Sequence, residues 1–65
     1  LRVTLTGNSE VWIENYRGIL EYTGERILLQ ARTCQVCLEG SRLSIDYYTN
    51  EDMKIAGKIS GVRYL

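Results

Sequence analysis

Over most of this chain apolar and polar residues alternate one for one in short stretches, and turn-forming residues break the alternation about every eight positions. That pattern suits half-buried strands, because successive side chains of a strand point to opposite faces. No stretch sustains the 3.6-residue period of an amphipathic helix. The spacing predicts strands over Arg2 to Thr6, Glu10 to Glu14, Gly18 to Tyr22, Arg26 to Ala31, Gln35 to Glu39, Arg42 to Tyr48, Met53 to Ala56 and Lys58 to Leu65. Between them lie Gly7-Asn8-Ser9, Asn15-Tyr16-Arg17, Thr23-Gly24-Glu25, Gly40-Ser41 and Thr49-Asn50-Glu51-Asp52. With no Pro in the chain, Gly and Asn must supply the turns that need positive φ.

The expected fold is therefore all-β: one small domain over residues 1–65, a sandwich or roll of about seven to eight short, mostly antiparallel strands. A short stack of β-arches is the alternative. It is suggested by a weak internal echo, since Leu5-Thr6-Gly7, Leu38-Glu39-Gly40 and Ile55-Ala56-Gly57 each place an apolar residue two before a Gly.

A chain of 65 residues forms a small core, which disulfides, a metal or oligomerisation usually supplement. Cys34 and Cys37 are the only cysteines, and a bridge between them would close a trivial loop, so the chain is not a disulfide-framed mini-protein and a reducing compartment is expected. Eight Lys and Arg balance eight Asp and Glu. The basic residues are scattered, and nothing steers the domain toward phosphates or anionic lipid. Ile27-Leu28-Leu29, the longest purely aliphatic run, is far too short to span a bilayer. The chain opens on Leu1 rather than Met, and the expectation is that a leader has been trimmed away.

The absence of His removes the commonest general base and the Ser-His and Cys-His nucleophile pairs. Glu10 with Glu14, or Glu21 with Glu25, has the chemistry for acid and base work. A domain this small offers no pocket to hold a sugar between them, and solvated strand faces explain them. Cys34-Gln35-Val36-Cys37 has the CxxC spacing of redox and zinc sites but neither the helix nor the second cluster those sites require. On an extended strand one sulfur would face the core and the other would not. Gly57-Lys58-Ile59-Ser60-Gly61 lacks the spacing and following helix of a phosphate loop, and Asp46 with Glu51 and Asp52 lacks that of a calcium loop. Thr49 and Asp52 are spaced like a capping box. Tyr interleaved with Arg suits stacking on single-stranded nucleic acid, but neutral charge argues against it. No cofactor and no metal are expected.

Trp12 carries the strongest functional hint. Val11 and Ile13 point one way and Trp12 the other, between Glu10 and Glu14. Leu28, Leu20 and Tyr48 similarly oppose their neighbours. Either both faces of some strands are buried in a two-sheet core, or a second apolar patch centred on Trp12 buries against another chain.

The order of segments also resembles the YabP/YqfC family of sporulation proteins from endospore-forming bacteria. Val3-Thr4-Leu5-Thr6-Gly7-Asn8, Ile13-Glu14-Asn15-Tyr16-Arg17-Gly18-Ile19-Leu20-Glu21-Tyr22, Leu38-Glu39-Gly40-Ser41-Arg42-Leu43, the turn Thr49 to Asp52, and Ile55-Ala56-Gly57-Lys58-Ile59 carry the resemblance. Of these, Ile-Glu-Asn-Tyr-Arg-Gly-Ile is the most specific. The resemblance implies a small non-enzymatic protein of the mother cell, needed for spore development and therefore cytoplasmic. The CQVC segment departs from the family pattern.

Together these readings predict a protein-binding or assembly component, acting on a protein partner or as a homo-oligomer, with no nucleic acid bound and no transmembrane segment. Trp12 with the turn Asn15, Tyr16 and Arg17 is the expected contact surface, combining an exposed aromatic, a φ-tolerant Asn and a forked donor. A single-stranded nucleic-acid-binding β-barrel and a thiol or zinc protein are the alternatives.

Overall fold

The computed structural model describes all residues from Leu1 to Leu65. Six strands form: β1 (Arg2–Thr6), β2 (Glu10–Glu14), β3 (Gly18–Tyr22), β4 (Arg26–Gln30), β5 (Gln35–Tyr48) and β6 (Asp52–Tyr64). They make one open sheet in the order β1-β2-β6-β5-β4-β3. Every neighbouring pair is antiparallel. The hydrogen bonding is that of hairpins, and the parallel stacking of a β-arch solenoid is absent.

The expected count of seven to eight strands is corrected to six, because two positions read as breaks between strands, Gly40-Ser41 and Gly57, are bends inside long strands. Gln35 to Glu39 and Arg42 to Tyr48 are one strand, as are Met53 to Ala56 and Lys58 to Leu65. At the first bend Arg42 adopts φ 53°, and at the second Gly57 adopts φ 140°. Each bend is held from the side by a hairpin turn. The Gly40 and Leu43 amides donate to the carbonyls of Glu25 (3.0 Å) and Gly24 (2.7 Å), and those of Gly57 and Ile59 to Ser9 (3.2 Å) and Asn8 (2.8 Å). Backbone groups that a bend removes from the ladder are thereby satisfied. The echo at Gly40 and Gly57 marks these two equivalent bends, while Gly7 lies in the first hairpin turn.

The bends divide the sheet into two halves that share one core. In β2 Val11 and Ile13 are fully buried, and Ile55 and Met53 of β6 lie opposite them. In β4 Ile27 and Leu29 are fully buried, and Leu38 and Val36 of β5 lie opposite. All eight join a single apolar cluster with Tyr16, Leu43 and Ile59. Alternation thus places one face of β2 and of β4 inside and leaves the other more open, as antiparallel sheets permit. Thr49 and Asp52 meet as their spacing suggested, but in a strand-connecting turn: the Thr49 hydroxyl accepts the amides of Glu51 (3.2 Å) and Asp52 (3.0 Å). Thr23 does the same for Glu25 (3.2 Å) and Arg26 (2.9 Å).

Candidate functional site

Alternation along β2 sends Trp12 to the outer face of the first half-sheet. Across the strands its register partners are Thr4 of β1 and Lys54 of β6, and Lys54 is in turn opposite Tyr47 of β5. The row Thr4-Trp12-Lys54-Tyr47 therefore crosses four strands on one surface. Tyr47 is in the row because the β5–β6 pairing skips Asp46, passing from Ile45 to Tyr47; without that shift Tyr47 would face the core.

The row is internally braced. The Trp12 and Tyr47 rings are tilted at 53° with centroids 6.3 Å apart, a separation typical of paired aromatics. The Lys54 ammonium sits 5.7 Å from the centre of the Trp12 ring, within cation–π range. Glu10 anchors the ammonium at 2.9 Å. Its hydrogen bond and charge push the Lys54 pKa above its ordinary value, with a smaller push from Asp46. Trp12 is nevertheless 39% exposed and Tyr47 49%. A large aromatic surface is thus held in a fixed orientation and left open.

The turn Asn15-Tyr16-Arg17 divides. Asn15 takes the left-handed conformation (φ 64°) that Asn tolerates better than most residues. The Asn15 and Tyr16 amides both donate to the Glu51 carbonyl (2.7 and 3.3 Å), and the Arg17 amide donates to Gln30 (2.7 Å). Tyr16 turns inward: it is 6% exposed, belongs to the core, and its hydroxyl donates to the Thr49 carbonyl. Burial raises its pKa, with the Tyr48 and Asp52 charges adding to the shift. Arg17 and Asn15 instead line an open depression with Leu1, Arg32 and Glu51. Trp12 shares its row with Lys54 and Tyr47, whereas the turn is tied to the β5–β6 loop, so the four expected residues do not form one patch.

The outer face of the other half-sheet differs in kind. Glu21 pairs with Arg26 at 3.8 Å and Glu39 with Arg63 at 3.0 Å. Cys37 falls on this face opposite Leu28 and Arg63, yet it is fully buried. Cys34 precedes β5 and is half-buried; both thiols are free. No three His, Cys, Asp or Glu side chains converge in a way that could hold a metal ion, and no helix is long and apolar enough to cross a membrane.

Thr4, Lys54 and Tyr47 are the members of the row that sequence reasoning missed. Tyr47 was visible as the residue opposing Tyr48, but only the skipped Asp46 decides which of the two lies on the face of Trp12. For Lys54 the signal was its place between Met53 and Ile55, both fully buried.

No solved structure matches the chain. Among curated proteins, the YqfC protein of Bacillus subtilis (strain 168) is 30% identical over 64 residues, covering 98% of this chain and 69% of that protein. The YabP family model matches residues 1–65. With the whole length matched, the chain belongs to the YabP family, and membership implies a sporulation-related protein.

Proposed function

We propose that this chain is a non-enzymatic assembly component of endospore formation, acting in the mother-cell cytoplasm and binding protein through the outer-face row centred on Trp12. The observation that carries the reading is the open Trp12-Lys54-Tyr47 row, braced at 6.3 and 5.7 Å on a rigid sheet. Aromatic side chains supply most of the binding energy at protein interfaces, and rings already fixed lose little freedom on docking. Lys54, neutralised by Glu10, adds a polar margin without a net charge for a partner to offset. Of the turn, Asn15 and Arg17 remain available at the surface, while Tyr16 supports the fold.

Light scattering coupled to size-exclusion chromatography, run over a wide concentration range, tests the self-assembling form of this proposal. The native chain is expected to form an oligomer that Trp12→Ala weakens by about tenfold or more, the effect of losing a central interface aromatic. An oligomer indifferent to Trp12→Ala would remove the row from self-assembly, and a monomer at every concentration would direct the search to a different protein. Trp12→Ala should leave the fold intact, since the side chain lies outside the core cluster.

A further inference from the structure

We propose that two copies of this chain join edge to edge through β1, antiparallel about a twofold axis at Thr4, so that two sheets become one. The inference rests on the reading of the chain as an assembly component and names the surface that would pair its copies. β1 is an outer strand whose sole strand neighbour is β2. The Ser9 amide donates to the Thr6 carbonyl (3.3 Å), so the polar backbone groups of Thr6 turn toward β2. By alternation those of Thr4 and Arg2 do likewise, and the amides and carbonyls of Val3 and Leu5 face the open edge.

The other free edges carry devices that block such pairing. β3 is interrupted at Leu20, where its register with β4 jumps from Ile19 to Glu21. The second half of β5 skips Asp46, and its Ile45 amide already donates to the Tyr22 hydroxyl at 3.0 Å. The second half of β6 leaves Ser60 without a partner and is flanked by Lys58 and Arg63. β1 has none of these features: its register with β2 is unbroken from Arg2 to Thr6, and it contains neither Gly nor Pro.

A second copy is the occupant because the edge is complementary to itself. With Thr4 on the axis, Val3 meets Leu5 of the other copy, and those two residues exchange amide–carbonyl bonds on both sides of the axis. Apolar side chains then meet on the inner face, where Leu5 is now 50% exposed beside half-buried Val3. On the outer face Arg2 meets Thr6, and no like charges are opposed. Thr4 faces Thr4 in the closer, non-hydrogen-bonded type of pair. Since Thr4 is next to Trp12 in the row, pairing would run the rows of both copies into one continuous face.

The test combines a cross-link with a repulsion. In a Cys34→Ser background, Thr4→Cys is expected to give a disulfide-linked dimer under mild oxidation, because facing residues of such a pair lie about 4.5 Å apart at Cα, within disulfide reach. Thr6→Cys, about 13 Å along the strand from its own copy, should give none. Thr4→Lys, which sets two like charges face to face, should abolish the dimer in light scattering while leaving the melting temperature of the dilute chain unchanged. No cross-link at Thr4, or a dimer that survives Thr4→Lys, would overturn the proposal. If that surviving dimer is lost in Trp12→Ala, the Trp12 reading stands and the edge proposal alone fails.

Discussion

Replacing Gly40 by Ala is expected to remove a large share of the chain's stability and to lower its melting temperature more than any glycine substitution at an open position. A Cβ built on Gly40 would lie 2.0 Å from the Lys58 carbonyl oxygen, 3.0 Å from its carbon and 3.1 Å from the Ile59 Cα. All three are backbone atoms of the neighbouring strand, so no flexible side chain can swing aside. Relief requires β6 to retreat where Gly40 pairs with Ile59 and Ser41 with Lys58, at the bend on which both half-sheets depend. Overpacking a side-chain site costs about 1 to 3 kcal/mol, and a rigid backbone clash belongs at or above the top of that range. A domain of this size has roughly 3 to 10 kcal/mol in total. Gly57→Ala should be similarly damaging, since its Cβ would lie 2.6 Å from the Arg42 carbonyl oxygen and its φ of 140° is open to Gly alone. Gly61→Ala is the control: nothing lies within 4 Å of its added Cβ, and its Tm should stay within about 4 to 8 °C of native. Thermal melts followed by circular dichroism decide the matter. A Gly40→Ala chain that melts like the Gly61→Ala chain would mean that β5 and β6 do not cross as closely as described.

These glycines also show where the sequence stops being legible. Alternation in Glu10 to Glu14 and in Arg26 to Ala31 identified the strands and which of their residues share a face, because that sharing follows from period 2 alone. At Gly40 and Gly57 the same reasoning predicted breaks between separate strands, since a Gly between two apolar runs ordinarily interrupts them. What turns these positions into bends is the approach of a distant hairpin: Gly24 and Glu25 at one, Asn8 and Ser9 at the other. No local window contains that information. Trp12 was legible as an outward residue for the same reason that Val11 and Ile13 were legible as core. Its neighbours in the row were not, because Lys54 and Tyr47 reach it through strand order and a skipped residue. Tyr16 was misplaced because the turn chemistry of Asn15 is local, whereas the acceptor of its hydroxyl, Thr49, is remote in sequence.

Tyr16 consequently separates folding from binding, and its substitution should have the largest effect of any in the expected contact surface. Tyr16→Ala removes a ring that is 6% exposed and part of the core cluster, and truncating a buried aromatic costs about 3 to 5 kcal/mol. Trp12→Ala removes an aromatic of larger size from the open face, and should cost no more than about 1 kcal/mol. Urea titrations of the two variants should therefore rank them opposite to their order in self-association. Tyr16→Phe isolates the hydroxyl: the ring stays, the Thr49 carbonyl loses its donor, and the cost is about 1 to 2 kcal/mol. The pH dependence distinguishes a buried hydroxyl from an exposed one. Because burial raises the folded-state pKa of Tyr16 above the ordinary tyrosine value of about 10, the unfolded chain gives up this proton first. Its stabilising contribution is then complete below pH 10 and is lost as pH rises through the raised pKa. Stability of the native chain should fall across that alkaline range more steeply than that of Tyr16→Phe, which has no proton there to lose. Parallel curves for the two proteins would place the Tyr16 hydroxyl in water and return it to the surface with Asn15 and Arg17.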